Sequence, residues 1–226
     1  MTTLYLRLRS ATTFGRGDGV AGWIDREVEQ DQDGFPFLRG RTLKGLLCEA
    51  AEEVVFAWQQ QPEVTVMQEA KAALFGWGGS GLAGAGILHV EAAQLPSNVR
   101  VLWRAEMESQ RSHQTAPVTL TPTDILESLT GIRRQTAVNE YGAPDHATLR
   151  SMRVILRETV LAAELSFTQE PSESEWVLLT AATLGLRAAG TGRNRGRGWC
   201  QATLNDEAFM RQHWTALSEE GWHVRV

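Results

Sequence analysis

The sequence predicts an α+β protein, and three observations carry that prediction. Residues 3–9 alternate, with Leu4, Leu6 and Leu8 on one side, as a half-buried strand requires. From Thr42 the period changes to that of a helix: Leu43, Leu46, Leu47, Ala50, Val54 and Trp58 share a face, with Glu49, Glu52 and Glu53 largely opposite. Strand-like and helix-like segments then keep alternating to the end of the chain, with long Gly-rich or polar stretches between them.

In order, residues 3–9 form the first strand, and residues 14–36, rich in glycine and acid and without either period, form a long loop ending at Phe35-Pro36. Thr42 is the expected N-cap of the first helix. A second helix or a connection covers about 64–75, and Phe75-Gly-Trp-Gly-Gly-Ser-Gly81 breaks the chain. Residues 86–93 and 99–106 alternate and are expected as strands. Residues 107–153 are polar, carry two Pro-containing turns before residue 123, and offer no obvious core face. Val154–Phe167 reads as a strand and Trp176–Ala189 as a helix, with Trp176, Leu179, Ala182, Thr183 and Leu186 close to one face. Gly190–Gly198 is a loop, Trp199–Leu204 a short strand, and the tail from Asp206 a helix that packs Phe209, Trp214 and Leu217. Without its loops the order is β-α-β-β-α-β, the ferredoxin-like (RRM-like) core, with a long insertion at about 107–154 and a helical tail at about 205–226. Such a sheet has two helices on one face and leaves the other open to single-stranded nucleic acid. No repeat or composition shift divides residues 1–226, so a single domain is expected.

Composition narrows the function. Hydrophobic residues make up 42% and charged residues 22%. Mean hydropathy is −0.24, and no apolar run has the length of a membrane span, so no membrane partner is expected. The alternating N-terminus lacks the unbroken apolar stretch of a signal peptide. Cys48 and Cys200 make neither a disulfide framework nor a zinc site. A cytoplasmic location is the expectation. The net charge is −5, which argues against nucleic acid until its distribution is considered. Residues 37–45, 131–157 and 187–198 together carry +10, leaving −15 on the rest. Local charge, not the total, decides contacts with phosphate.

Two of those stretches are candidate phosphate sites. Gly190-Thr-Gly-Arg-Asn-Arg-Gly-Arg-Gly198 combines backbone N–H groups that form an anion nest with arginines that bind phosphate in two-pronged fashion. Its candidates are Gly192, Arg193, Asn194, Arg195 and Arg197, and a solvated turn is the alternative. Because it follows a helix and precedes a strand, it is not a dinucleotide loop. In Pro36-Phe-Leu-Arg-Gly-Arg-Thr-Leu-Lys-Gly45, Arg39, Gly40, Arg41 and Lys44 gather at a helix N-terminus, where cations are unfavourable unless an anion binds. An ordinary helix cap is the alternative there.

These two motifs, with Ile132-Arg-Arg-Gln-Thr-Ala-Val-Asn-Glu-Tyr-Gly142 and Leu149-Arg-Ser-Met-Arg-Val154 between them, resemble the RAMP superfamily of CRISPR-associated proteins over about residues 1–204. The likeness is to backbone subunits of type III effector complexes, type III-D in particular. It implies a ferredoxin-like core and a thumb that wedges into the guide–target duplex, adding Arg133, Arg134, Arg150 and Arg153 to the RNA-binding set. It implies CRISPR RNA, target RNA and other effector subunits as partners, in antiviral defence. Gly22-Trp-Ile-Asp25 is similar to the segment that carries the aspartate of target-cleaving subunits, so the resemblance makes Asp25 the catalytic residue and the ligand of a divalent ion, Mg²⁺, in an endoribonuclease. Glu27, Asp31 and Asp33 stand close in sequence as further acids for a metal, or equally as a solvated acidic loop. Arg26-Glu27 stands where cleaving subunits often have a small residue and Pro, and Cys48 where Arg is common. A subunit of the same fold that caps the guide's 5′ handle or bridges neighbours without cutting is the alternative. No His precedes residue 89, which disfavours a guide-processing nuclease using histidine. Most of the eight tryptophans read as core or interface, with Trp23 and Trp77, both in Gly-rich loops, as the exceptions.

Overall fold

A computed structural model describes residues 2–62, 64–77, 84–112 and 120–219. Strand β1 (Thr2–Leu8) buries Thr2, Leu4, Leu6 and Leu8 and turns Tyr5 and Arg7 outward. Helix α1 (Gly40–Ala57) buries Leu43, Leu46, Leu47, Ala50, Ala51 and Val55. Helix α2 (Val64–Phe75) buries Met67, Ala70 and Leu74, a spacing of three and four. Strand β2 (Leu88–Val90) follows. Strand β5 (Val160–Phe167) and strand β6 (Cys200–Leu204) flank β1, both antiparallel to it, and β2 pairs antiparallel with β5. The sheet order β2-β5-β1-β6 is that of a ferredoxin-like core. Helix α5 (Glu173–Gly185) packs beside α1, and the inward faces of both join the buried strand residues in one apolar core. Truncating a fully buried leucine there, such as Leu47, costs about 2–5 kcal/mol.

Helix α5 begins at Glu173, three residues before the expected Trp176. Ser172 caps it, and Glu175 returns the bond to the Ser172 N–H at 2.8 Å. The helix stops at Gly185, short of the expected Ala189. Leu186–Ala189 run on as non-helical chain with Leu186 and Ala189 buried and Ala188 bridged to Trp199.

The expected strand at 99–106 is instead helix α3 (Ser97–Ser112). Its apolar alternation hides a spacing of four. Val99 and Trp103 pack partly buried on the core and Met107 is buried, whereas Val101 and Leu102 are exposed. The insertion is not without a core either. Helix α4 (Pro122–Leu129) buries Ile125 and Leu126 under a Thr121–Asp124 capping box. Strands β3 (Thr130–Gln135) and β4 (Arg150–Ile155) then form a separate antiparallel hairpin with Met152, Val154 and Ile155 buried. The strand expected over 154–167 is therefore two, split by a turn in which Glu158 has φ +67°.

Helix α1 starts at Gly40 rather than at a Thr42 cap, with Arg39 in the capping position and no side-chain bond. A Cβ on Gly40 would lie 2.1 Å from the Val90 carbonyl oxygen, so the missing side chain lets the helix start lie against β2. In the tail, helix α6 (Glu207–Glu219) buries Met210 and His213. Trp176 meets Phe167 and Phe209 edge-on and stacks on His213, which fastens α6 to α5. The side chains of Trp214 and Leu217 lie outside the described residues.

Candidate nucleic-acid interface

The long loop docks on the hairpin through an isolated parallel bridge between Arg26 and Met152. The N–H groups of Asp25 and Arg26 donate to the Ser151 carbonyl at 3.0 and 3.3 Å, and the Arg153 N–H donates to the Arg26 carbonyl at 3.0 Å. Asp25 is thereby held at the hairpin edge with its side chain exposed. Its Oδ2 accepts from the Ser151 N–H at 2.6 Å and from the Ser151 hydroxyl at 3.2 Å. The backbone bond from Ser151, with help from its hydroxyl and the charge of Arg150, holds the Asp25 carboxyl below the usual aspartate range.

Glu27 is a different kind of acid. It is buried and paired with Arg153 (Nε to Oε1, 2.8 Å), and Oε1 also accepts from the Val28 N–H. Asp31 accepts from the Phe35 and Asp33 N–H groups and pairs with Arg100 of α3, while Asp33 pairs with Arg104. The expected acid cluster around Asp25 is thus dispersed. Among the described residues, no three of His, Cys, Asp or Glu come together as a metal-ligand set.

The Gly190–Gly198 loop bridges helix α1 and the hairpin. Gly190, Gly192, Gly196 and Gly198 all have positive φ, and Arg193–Arg195 make a single 3₁₀ turn between two of them. At Gly198 a Cβ would lie 1.9 Å from the Ala189 carbonyl oxygen, whose residue closes the loop neck by an N–H bond to the Gly198 carbonyl. On one side Arg193 grips Glu49 of α1 through both guanidinium ends, at 2.7 and 2.9 Å. On the other, Arg197 reaches the Met152 sulfur at 3.1 Å and the Gln135 side-chain oxygen. Burial, then the charges of Arg133 and Arg195, lower the Arg197 pKa, so these three cations crowd one region.

Two clefts of about 440 Å³ each run along this loop. One is lined by Asp25, Arg26, Arg150, Gly192, Arg195 and Arg197, the other by Arg16, Glu29, Arg39 and Thr42; they share Gly190, Thr191 and Arg193. Asn194 and Gln135 also face the first. Arg39 pairs with Glu29 at 2.6 Å, and Arg41, Arg133 and Arg134 are exposed.

Two of the anticipated RNA-binding residues are placed elsewhere. Lys44 donates to the Leu88 carbonyl at 2.7 Å, and burial pushes its ammonium below the usual lysine range. Arg153 is 4% exposed, with Glu27, the Thr130 hydroxyl and the Trp23 ring around its guanidinium. Both are committed to the fold, and Gly40 serves close packing. Residue-type reasoning passed over Arg16, Arg26 and Gln135. The signal for Arg16 was present, since Gly15-Arg-Gly17 repeats the Gly196-Arg-Gly198 triplet. No described histidine lines either cleft: His89 pairs with Glu91 on the open sheet face, His146 is exposed in the hairpin and His213 is buried. His113 and His223 lie outside the described residues. The open sheet face carries Glu91 and Glu164 beside Tyr5, Arg7 and Ser166, a surface of mixed charge.

A model of the RAMP superfamily matches residues 6–201. Among solved structures, the fold is similar to a chain of the type III-B Cmr-beta complex bound to cognate target RNA, seen by cryo-electron microscopy. That likeness has a TM-score of 0.62 at 10% identity and covers 94% of this chain and 98% of the other. A chain of the apo type III-B Cmr-beta complex gives 0.61 at 11% identity over 91% and 97%. A chain of a type IV-B CRISPR complex gives 0.57 at 15% identity over 92% and 91%. No curated protein matches the sequence.

Proposed function

This chain belongs to the RAMP superfamily, and on that premise we propose that it is a subunit of a CRISPR effector complex that grips CRISPR RNA by its backbone. The observation that carries the reading is the placement of the Gly190–Gly198 loop. It ties the middle of α1, at Glu49, to the β3–β4 hairpin, so that Arg39, Arg193, Arg195, Arg197 and Arg150 line one track. Arginines and exposed backbone N–H groups recognise phosphate without reading bases, so binding is independent of sequence and falls steeply with salt. The hairpin, with Arg133 and Arg134 exposed, is the thumb that meets a guide–target duplex. The test is to purify the full chain with whatever assembles on it and sequence the RNA recovered. A discrete small RNA and further effector subunits are expected; RNA-free preparations would overturn the reading.

Cleavage of guide-bound target RNA is the finer part of the proposal. Among the described residues, Asp25 is the one carboxylate lining the cationic cleft. A carboxylate held below its usual pKa is a poor proton acceptor at neutral pH, so its contribution is charge rather than general-base catalysis. One carboxylate does not make a metal site, but Mg²⁺ commonly uses one or two carboxylates and completes its shell with water and substrate phosphate. Asp25 is the residue here that would hold such an ion, which would supply charge neutralisation at the phosphate. The alternative is a non-cleaving subunit that caps the guide's 5′ handle or bridges neighbours. One observation favours it: the Ser151 bonds to Asp25 Oδ2 already give that carboxylate a structural task, joining loop to hairpin. Asp25→Ala decides between the two. Loss of target cleavage with RNA retained supports catalysis, and unchanged cleavage supports the alternative.

A further inference from the structure

Asp25 and Ser151 stand on a ridge between two unlike hollows. On one side is the cationic cleft with Arg26, Arg150, Arg195 and Arg197. On the other is a groove of about 810 Å³ walled by Val20, Ala21, Trp23 and Leu149, with Arg134 at its edge. Val20, Trp23 and Leu149 are 40%, 50% and 66% exposed, so an apolar surface lies open beside a surface suited to phosphate.

Trp23 is exposed but not free. The Arg153 guanidinium covers one side of its ring at 5.4 Å from the centroid, and Arg153 is itself fixed by buried Glu27. The Trp23 carbonyl accepts from the Ser151 hydroxyl at 2.7 Å, and its N–H donates to the Val20 carbonyl at 3.0 Å. A large aromatic ring backed by a buried cation and held at both ends of its peptide unit is preorganised, so stacking on it sacrifices little side-chain entropy.

Resting on the RNA-binding reading above, we propose that Trp23 is a stacking platform for one unpaired nucleobase of an RNA strand whose backbone lies in the arginine cleft. An RNA strand has the same two-sided chemistry as the ridge, with a phosphate edge and a base edge. A nucleotide straddling Asp25 sets its phosphate among the arginines and its base against Trp23, with the ribose over the carboxylate. The rim of the groove favours a base over an apolar protein side chain, because Arg134 and Asp25 offer a donor and an acceptor to a base edge. Stacking reads a π-face common to all bases, so the site takes any base.

The experiment uses the full chain and single-stranded RNA oligonucleotides carrying 2-aminopurine at successive positions. Wild-type protein is expected to quench the probe at a defined position. Trp23→Leu, which keeps apolar bulk but removes the π-face, is expected to abolish that quenching and weaken binding roughly tenfold, within the range for loss of one stacked base. Trp23→Phe is expected to retain most of both, which guards against misfolding as the cause. If wild type binds RNA and no position is quenched, or if Trp23→Leu quenches as wild type does, the platform is overturned while the RNA-binding reading survives. If wild type binds no RNA, the reading falls and the platform with it. If Trp23→Leu alters only association with other protein subunits, the groove is a protein contact and the proposal is wrong.

Discussion

Glu27 and Arg153, 126 residues apart, form an ion pair with Nε and Oε1 at 2.8 Å and with side chains only 4% and 5% exposed. The pair joins the long loop to the hairpin beneath Trp23 and two residues from Asp25. Removing one member of a buried pair strands the other's charge, which typically costs about 3–5 kcal/mol. Arg153→Met is therefore expected to lower stability by about that much in urea denaturation. Glu27→Gln, which keeps a hydrogen-bond acceptor, should lower it by less. The double variant should recover part of the Arg153→Met loss, because no unpaired charge remains. Equal losses in single and double variants would show that packing, not pairing, sets the stability.

The carboxyl of Asp25 titrates below its ordinary range because the Ser151 N–H, then its hydroxyl and Arg150, favour the charged form. For a group whose folded pKa is depressed, the stabilising contribution is present above the unfolded value, about 4, and is lost as pH falls through the folded value. The side chain is exposed, so the effect on stability is small and the direct readout is the carboxyl carbon shift in an NMR titration. Asp25 should remain ionised at pH values where a free aspartate is half protonated. Ser151→Ala removes only the smaller of the two Ser151 contributions, so it should raise the pKa part of the way. Any cleavage that depends on Asp25 should show no acid limb from this residue above about pH 4.

The regular elements were legible where one period dominated. The alternation of Leu4, Leu6 and Leu8 and the recurrence of Leu43, Leu46, Leu47 and Ala50 each have one structural solution. Residues 99–106 did not, since Val99, Val101 and Trp103 alternate while Val99, Trp103 and Met107 recur every four, and the packed surface chose the second pattern. The cationic stretches located the track, but charge alone does not disclose pairing. Nothing local distinguishes Arg153, which meets a glutamate far away in sequence, from Arg150, which stays exposed. For the same reason the acids near Asp25 read as a cluster, although Asp31 and Asp33 are drawn off by two arginines on α3.

Arg193 and Glu49 present a case where loss of an ion pair should improve function. The contact is bidentate at 2.7 and 2.9 Å, but its side chains are 37% and 47% exposed. A surface pair of this kind contributes only about 0–1 kcal/mol. Glu49→Gln should therefore leave the unfolding midpoint nearly unchanged. It also removes a negative charge beside the track and frees Arg193 for phosphate. RNA affinity should rise several-fold at low salt, and the salt dependence should steepen by up to about one phosphate contact. Arg195→Ala should do the reverse. An unchanged salt slope in both variants would remove Arg193 and Arg195 from the RNA contact set.

Helix α1 contains two glycines whose replacement by alanine should act in opposite directions. Propensity favours alanine over glycine in a helix by about 0.5–1 kcal/mol. At Gly45 a Cβ meets nothing within 4 Å, so Gly45→Ala should be stabilising by about that amount. At Gly40 the same Cβ would stand 2.1 Å from the Val90 carbonyl oxygen and 2.8 Å from the Glu91 carbonyl carbon, both backbone atoms of β2 and its exit. Backbone cannot yield as a side-chain tip does, so the start of α1 must lift off the sheet, and sterics outweigh propensity. Gly40→Ala should lower the urea midpoint. Because Arg39 and Arg41 flank it, the variant should also weaken RNA binding more than its stability loss explains, measured where both proteins are fully folded. Normal affinity in folded Gly40→Ala protein would mean that the start of α1 carries no RNA contact, and that the track ends at the Gly190–Gly198 loop.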